Sequence, residues 1–143
     1  MKRLNVRFFD EFKNLDNLCI DLFGEIDGQH GVTLYIDQMS KNAKLGKAEI
    51  DEWESDYQNL KNVRHTRNLL AHSQESFSDN VCTKEQLEFV RSFKKKVQQG
   101  KDPLSLLQKR IAKKKSRSRF NKLLIFLLIV LIAAVIVKFF ILK

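Results

Sequence analysis

Arg67-Asn68-Leu69-Leu70-Ala71-His72 places a guanidinium, an amide and an imidazole within six residues. A guanidinium is a permanent cation whose planar fork of donors suits phosphate or carboxylate oxygens. An imidazole gives and takes protons near neutral pH. With an amide to orient them, these groups have the chemistry to hold a phosphoryl oxygen and move a proton beside it. Lys61 and Arg64 stand just upstream and extend the string into a cationic, hydrogen-bonding strip suited to substrate binding.

The element that carries this strip reads as a helix, because Ile50, Trp53, Tyr57, Leu60 and Val63 recur at helical spacing and run into the motif. At roughly 100° per residue, Trp53, Leu60, Val63, Leu70 and Ala71 form its buried stripe, and Arg67 falls inside it. An unpaired guanidinium is costly to bury, so Arg67 is expected to meet a carboxylate, an open cleft or an anionic ligand. Arg64, Asn68 and His72 follow one another at steps of four on the shoulder beside it. Residues 73–82 carry no apolar period, which puts His72 at the helix C-terminus, where the partial negative charge of the helix end favours the imidazolium. On a regular helix Arg67 and His72 point roughly 140° apart. They meet on one phosphate only if the helix breaks after Ala71 or if two chains face each other.

The surrounding elements also read as helices. Leu4, Phe8, Phe12, Leu15, Cys19 and Leu22 recur every three or four residues, predicting a first helix to about Phe23, stopped by Gly24, Gly28 and Gly31. That glycine cluster follows no strand and departs from the dinucleotide fingerprint, so it reads as a loop. Val32, Tyr35, Ile36 and Met39 predict a short second helix, followed by a polar loop through Gly46. Beyond the strip, Thr83 and Gln86 have capping-box spacing ahead of Leu87, Val90, Phe93 or Phe89, and Val97, and Gly100 closes that helix. Asp102-Pro103 then opens a basic segment with Leu104, Leu107 and Ile111 on one side. The expected fold is all-α, a small antiparallel helical bundle over residues 1–100.

Charge divides the chain. Residues 1–100 carry 15 Lys/Arg against 16 Asp/Glu, while residues 101–122 carry nine basic residues and one acidic. The overall net charge of +9 therefore belongs to a connector, which removes the warrant for a broad phosphate-binding surface on the body. Cys19 and Cys82 lie far apart outside any metal or redox spacing, and with no signal peptide the body is expected in the cytoplasm with reduced thiols. The strip calls for no metal and no cofactor.

From Leu123 to Val137 the sequence is uninterruptedly apolar, and it resumes after Lys138 through Leu142. As helix, residues 123–142 reach roughly 30 Å, the hydrocarbon thickness of a bilayer. A transmembrane helix is expected there, preceded by a polybasic juxtamembrane helix or linker at 101–122. Lys113, Lys114, Lys115, Arg117, Arg119 and Lys122 precede the span and only Lys143 follows it, so the body is expected on the cytoplasmic side of a cell membrane, with these residues near anionic lipid headgroups.

Arg67-Asn68-x-x-x-His72 resembles the Arg-x(4 to 6)-His motif of the HEPN superfamily, in which a polar residue follows the arginine. That superfamily is all-helical, and many members are metal-independent ribonucleases whose paired motifs meet across a homodimer. The resemblance implies that Arg67 contacts a scissile phosphate, that Asn68 orients His72 or substrate, and that His72 exchanges protons with a ribose hydroxyl or the leaving oxygen. It also implies RNA or a nucleotide as ligand and a second copy of the chain as partner. The wider run Gly31-Val32-x-x-Tyr35-Ile36-Asp37-x-Met39, with Trp53 and Asp56-Tyr57, is similar to a group of small membrane-anchored bacterial proteins of uncharacterised activity.

The same residues admit a role in the fold alone. Arg67 would then pair with a carboxylate of a neighbouring helix, Asn68 with backbone, and His72 with its own helix end. On that reading the chain is a non-enzymatic helical module that recruits a partner to the inner membrane face.

Overall fold

The computed structural model describes residues 3–24, 31–72 and 81–141, with side chains as far as Lys122 and at Leu124, Ile125, Phe126 and Leu128. Every regular element among them is a helix: α1 (Arg3–Phe23), α2 (Gly31–Lys41), α3 (Ala43–Glu49), α4 (Trp53–His72), α5 (Lys84–Gln98) and α6 (Pro103–Ile141). The chain divides into two compact units, Met1–Leu107 and Gln108–Lys143.

In the first unit the apolar repeats meet in one core. Phe8, Phe12, Leu15 and Cys19 of α1 pack with Val32, Tyr35 and Met39 of α2, Trp53, Leu60 and Val63 of α4, and Leu87, Val90 and Phe93 of α5. The expected stripe of α1 stops one turn early, since Leu22 is exposed. Gly24 ends the helix at φ +79°, a left-handed conformation that a side chain disfavours, and its N–H returns to the Ile20 carbonyl at 2.7 Å. The loop expected across Gly28 lies outside the described residues.

Polar contacts give the helix directions. Asn5 of α1 accepts from the Cys82 N–H ahead of α5, and Glu11 of α1 pairs with Arg91 and Lys94 of α5, so α1 and α5 run the same way. Thr66 and Asp56 of α4 bond Gln86 and Lys96 of α5 in reverse order, so α4 opposes both. The bundle is thus antiparallel between α4 and the pair α1 and α5, which are parallel to each other.

Two boundaries differ from expectation. The polar loop through Gly46 contains α3, a seven-residue helix whose one buried member is Gly46 itself. A Cβ on Gly46 would lie 2.2 Å from the Trp53 ring, so the helix touches the core through backbone and carries no apolar repeat to announce it. Ile50 closes α3 with its N–H on the Gly46 carbonyl at 2.9 Å and does not belong to α4.

The capping box forms as its spacing predicts, Thr83 Oγ1 accepting from the Gln86 N–H at 3.2 Å and Gln86 Oε1 from the Thr83 N–H at 3.0 Å. Asp102 opens α6, its Oδ1 accepting from the Ser105 N–H at 3.2 Å, and Leu104 and Leu107 are buried while Ile111 is exposed.

The transmembrane helix expected at 123–142 falls mainly on side chains outside the described residues. Among the described residues no helix is long and apolar enough to cross a membrane.

Candidate functional site

The strip lies on the last three turns of α4, against α1 and the start of α2. Arg67 does not occupy the buried stripe: Thr66 does, 5 % exposed, with its hydroxyl accepting from the Gln86 side-chain amide at 2.9 Å. Leu70 continues the stripe, and Ala71, expected inside it, is exposed. Trp53, Leu60, Val63 and Leu70 are buried as expected, and only in the last turns does Thr66 replace Arg67, because a threonine whose hydroxyl has a partner is cheaper to bury than a guanidinium.

Arg67 is half-buried at the edge of the core. Its guanidinium carbon stands 5.9 Å over the Phe9 ring, and Nη1 donates to Asn68 Oδ1 at 3.3 Å. The first contact uses the ring quadrupole and the second holds the amide beside the cation. Arg64, Arg67 and Asn68 line one wall of a cleft of about 110 Å³, whose other walls include Phe12, Asp16 and Thr33. A second cavity of about 370 Å³ shares Phe12, Asp16 and Arg67 and adds Phe9, Lys13 and Asn17 from α1. An open cleft, one of the three settings expected for Arg67, is present beside it.

Asp16 is the member that sequence reasoning passed over. It sits on the apolar side of α1 next to Leu15, 9 % exposed, and its Oδ1 accepts from the Val32 N–H at 2.8 Å. A carboxylate of one helix thereby serves the first turn of another, where unsatisfied N–H groups and the helix dipole favour negative charge. The signal was a charged residue inside an apolar repeat, the same signal that singled out Arg67. Gly31 makes the contact feasible, since a Cβ there would lie 2.1 Å from the Asp16 carbonyl oxygen.

The structure brings Arg64, Arg67 and Asn68 together and leaves Lys61 and His72 apart from them. Lys61 is exposed, its ammonium 5.5 Å above the Tyr57 ring on the same helix. His72 is the exposed last residue of α4 and lines neither cavity. Around the two cavities the described charges are Arg64, Arg67 and Lys13 against Asp16, a cationic surplus suited to an anion with hydrogen-bonding neighbours.

Residues 6–122 match the model of a family of unknown function, DUF6548. Among the curated proteins and the solved structures, none matches the chain.

Proposed function

We propose that this chain, which belongs to the DUF6548 family of unknown function, is a membrane-tethered, HEPN-like helical protein that handles the phosphodiester of RNA or a nucleotide. It acts as a metal-independent endoribonuclease when two copies pair. The observation that carries this reading is the grouping of Arg67, Asn68 and Arg64 on one wall of an open cleft, with His72 a turn further along the same helix. The arginines bind a non-bridging phosphate oxygen, Asn68 orients the group beside it, and an imidazole supplies the proton transfer. His72 of the same chain lies outside the cleft, so a composite site draws its imidazole from a second copy. The apolar run 123–142 tethers the protein, a reading supported by Leu124, Ile125, Phe126 and Leu128, each at least 50 % exposed.

The full chain in detergent, incubated with RNA and chelator, is expected to cut. His72→Ala is expected to cut roughly 10² to 10⁴ times more slowly, the usual worth of positioned acid–base assistance, and Arg67→Ala roughly 10² to 10³ times more slowly, the usual worth of a lost charge-stabilising donor. A parent chain that leaves RNA intact, or variants that cut as fast as it does, would overturn the nuclease reading.

The position of His72 outside both cavities favours a second reading, a non-enzymatic module that recruits a partner to the inner membrane face. There His72→Ala is silent and deletion of residues 123–143 abolishes recruitment; the reverse pattern excludes it.

A further inference from the structure

We propose that the basic run of α6 stands upright through the lipid headgroup layer as a collar for anionic phospholipid, and does not lie flat on the membrane. This rests on the membrane tether proposed above. From Gln108 to Lys122 every side chain is exposed, and the segment is continuous α-helix. At roughly 100° per residue, Lys109, Lys113 and Arg117 share one side, Arg110 and Lys114 the next, and Lys115, Arg119 and Lys122 the side opposite. No arc wider than about 80° is left without a charge.

A helix that lies in the interface needs an apolar face of about 100° or more to sink into the acyl boundary. Within the run only Ile111, Ala112 and Phe120 are apolar, and they point in three directions at least about 80° apart. Beyond Lys122, the exposed Leu124, Ile125 and Phe126 likewise point to different sides of the helix. The segment is basic all round and then apolar all round. Its preferred solvent changes along the axis, not across it, and only an upright helix meets such a change.

The upright geometry makes the charges unequal. Lys109 stands roughly 20 Å along the axis from Lys122, whereas one headgroup layer is about 5–8 Å thick and the attraction fades within about 8 Å. Arg117, Arg119 and Lys122 then sit among the phosphates, and Lys109, Arg110 and Lys113 stand beyond them. A flat helix would use the charges of one side, Lys109, Lys113 and Arg117 or Arg119 and Lys122, whatever their height along the axis.

The test reconstitutes the full chain in phosphatidylcholine vesicles with trace spin-labelled phosphatidylglycerol or phosphatidylcholine, and reads from the electron spin resonance spectrum how strongly each is held at the protein. The parent chain is expected to prefer phosphatidylglycerol. The variant Arg117→Gln/Arg119→Gln/Lys122→Gln should lose that preference several-fold, and Lys109→Gln/Arg110→Gln/Lys113→Gln should keep most of it. No preference in the parent, or a loss from the second variant as large as from the first, overturns the collar alone. A chain that fails to float with the vesicles on a density gradient overturns the tether and the collar with it.

Discussion

Glu11 shows what one carboxylate can hold. It is 21 % exposed and accepts from Lys94 Nζ at 2.5 Å and Arg91 Nε at 3.0 Å, joining α1 to α5. The bond from Lys94 holds its carboxyl below the usual glutamate value, against some opposition from burial and with help from Arg91. A pKa lowered in the folded chain means stability that is present above the unfolded value and lost as pH falls through the folded one. Glu11→Gln is expected to cost roughly 1 kcal/mol at neutral pH. The gap to the parent should close in acid, as the parent's own Glu11 takes up its proton. Thermal melting of both chains from neutral pH downward checks this, and a gap that stays constant refutes it. Asp16 and Arg67 teach a related lesson, because each is a charge in an apolar repeat. Arg67 was read for its chemistry, whereas Asp16 was hidden by a helix read only for its apolar positions.

Among the elements, α5 is the one whose start is written most plainly. Thr83 and Gln86 exchange both bonds of the box, so Thr83→Ala should cost about 1 kcal/mol and lower the melting temperature by about 4–8 °C in a body of this size. An unchanged melting curve would mean that the box contributes nothing. The helices α1, α2 and α5 were visible because each has enough turns to repeat its apolar residues at helical spacing. The helix α3 was not, because seven residues that bury only a glycine have no repeat to show. The stripe of α4 is legible at Trp53, Leu60, Val63 and Leu70 and differs only near the strip, for another reason. A rule that ranks apolar above polar passes over Thr66, whereas Gln86, twenty residues later, provides the partner that makes burying it cheap. The cleft itself needed three helices brought together, and no single-helix pattern contains that.

At the scale of the whole first unit, one buried contact ties the middle of the bundle to the start of α6. The Tyr35 hydroxyl donates to Asp102 Oδ1 at 2.5 Å and accepts from the Leu104 N–H at 3.3 Å. Burial, reinforced by the Asp102 carboxylate, raises the phenol far above its ordinary range, so the donor keeps its proton at any pH the fold survives. Asp102 is 1 % exposed, and its Oδ2 has no hydrogen-bond partner among the described residues. Tyr35→Phe leaves Oδ1 with the Ser105 N–H and is expected to cost about 1–3 kcal/mol. Faster amide exchange at Leu104, with a lower melting temperature, would confirm the tie; protection equal to the parent's would show that α6 begins without it.

The small polar triangle of Thr66, Thr83 and Gln86 carries a consequence for inheritance. The amide of Gln86 that completes the cap of α5 also seats Thr66, the neighbour of Arg67. A substitution of Gln86 is felt at once as a looser helix start and as a shift of the wall that holds the arginine. To natural selection these three positions form one character, and a lineage that alters Gln86 alone loosens the helix start and the cleft wall together.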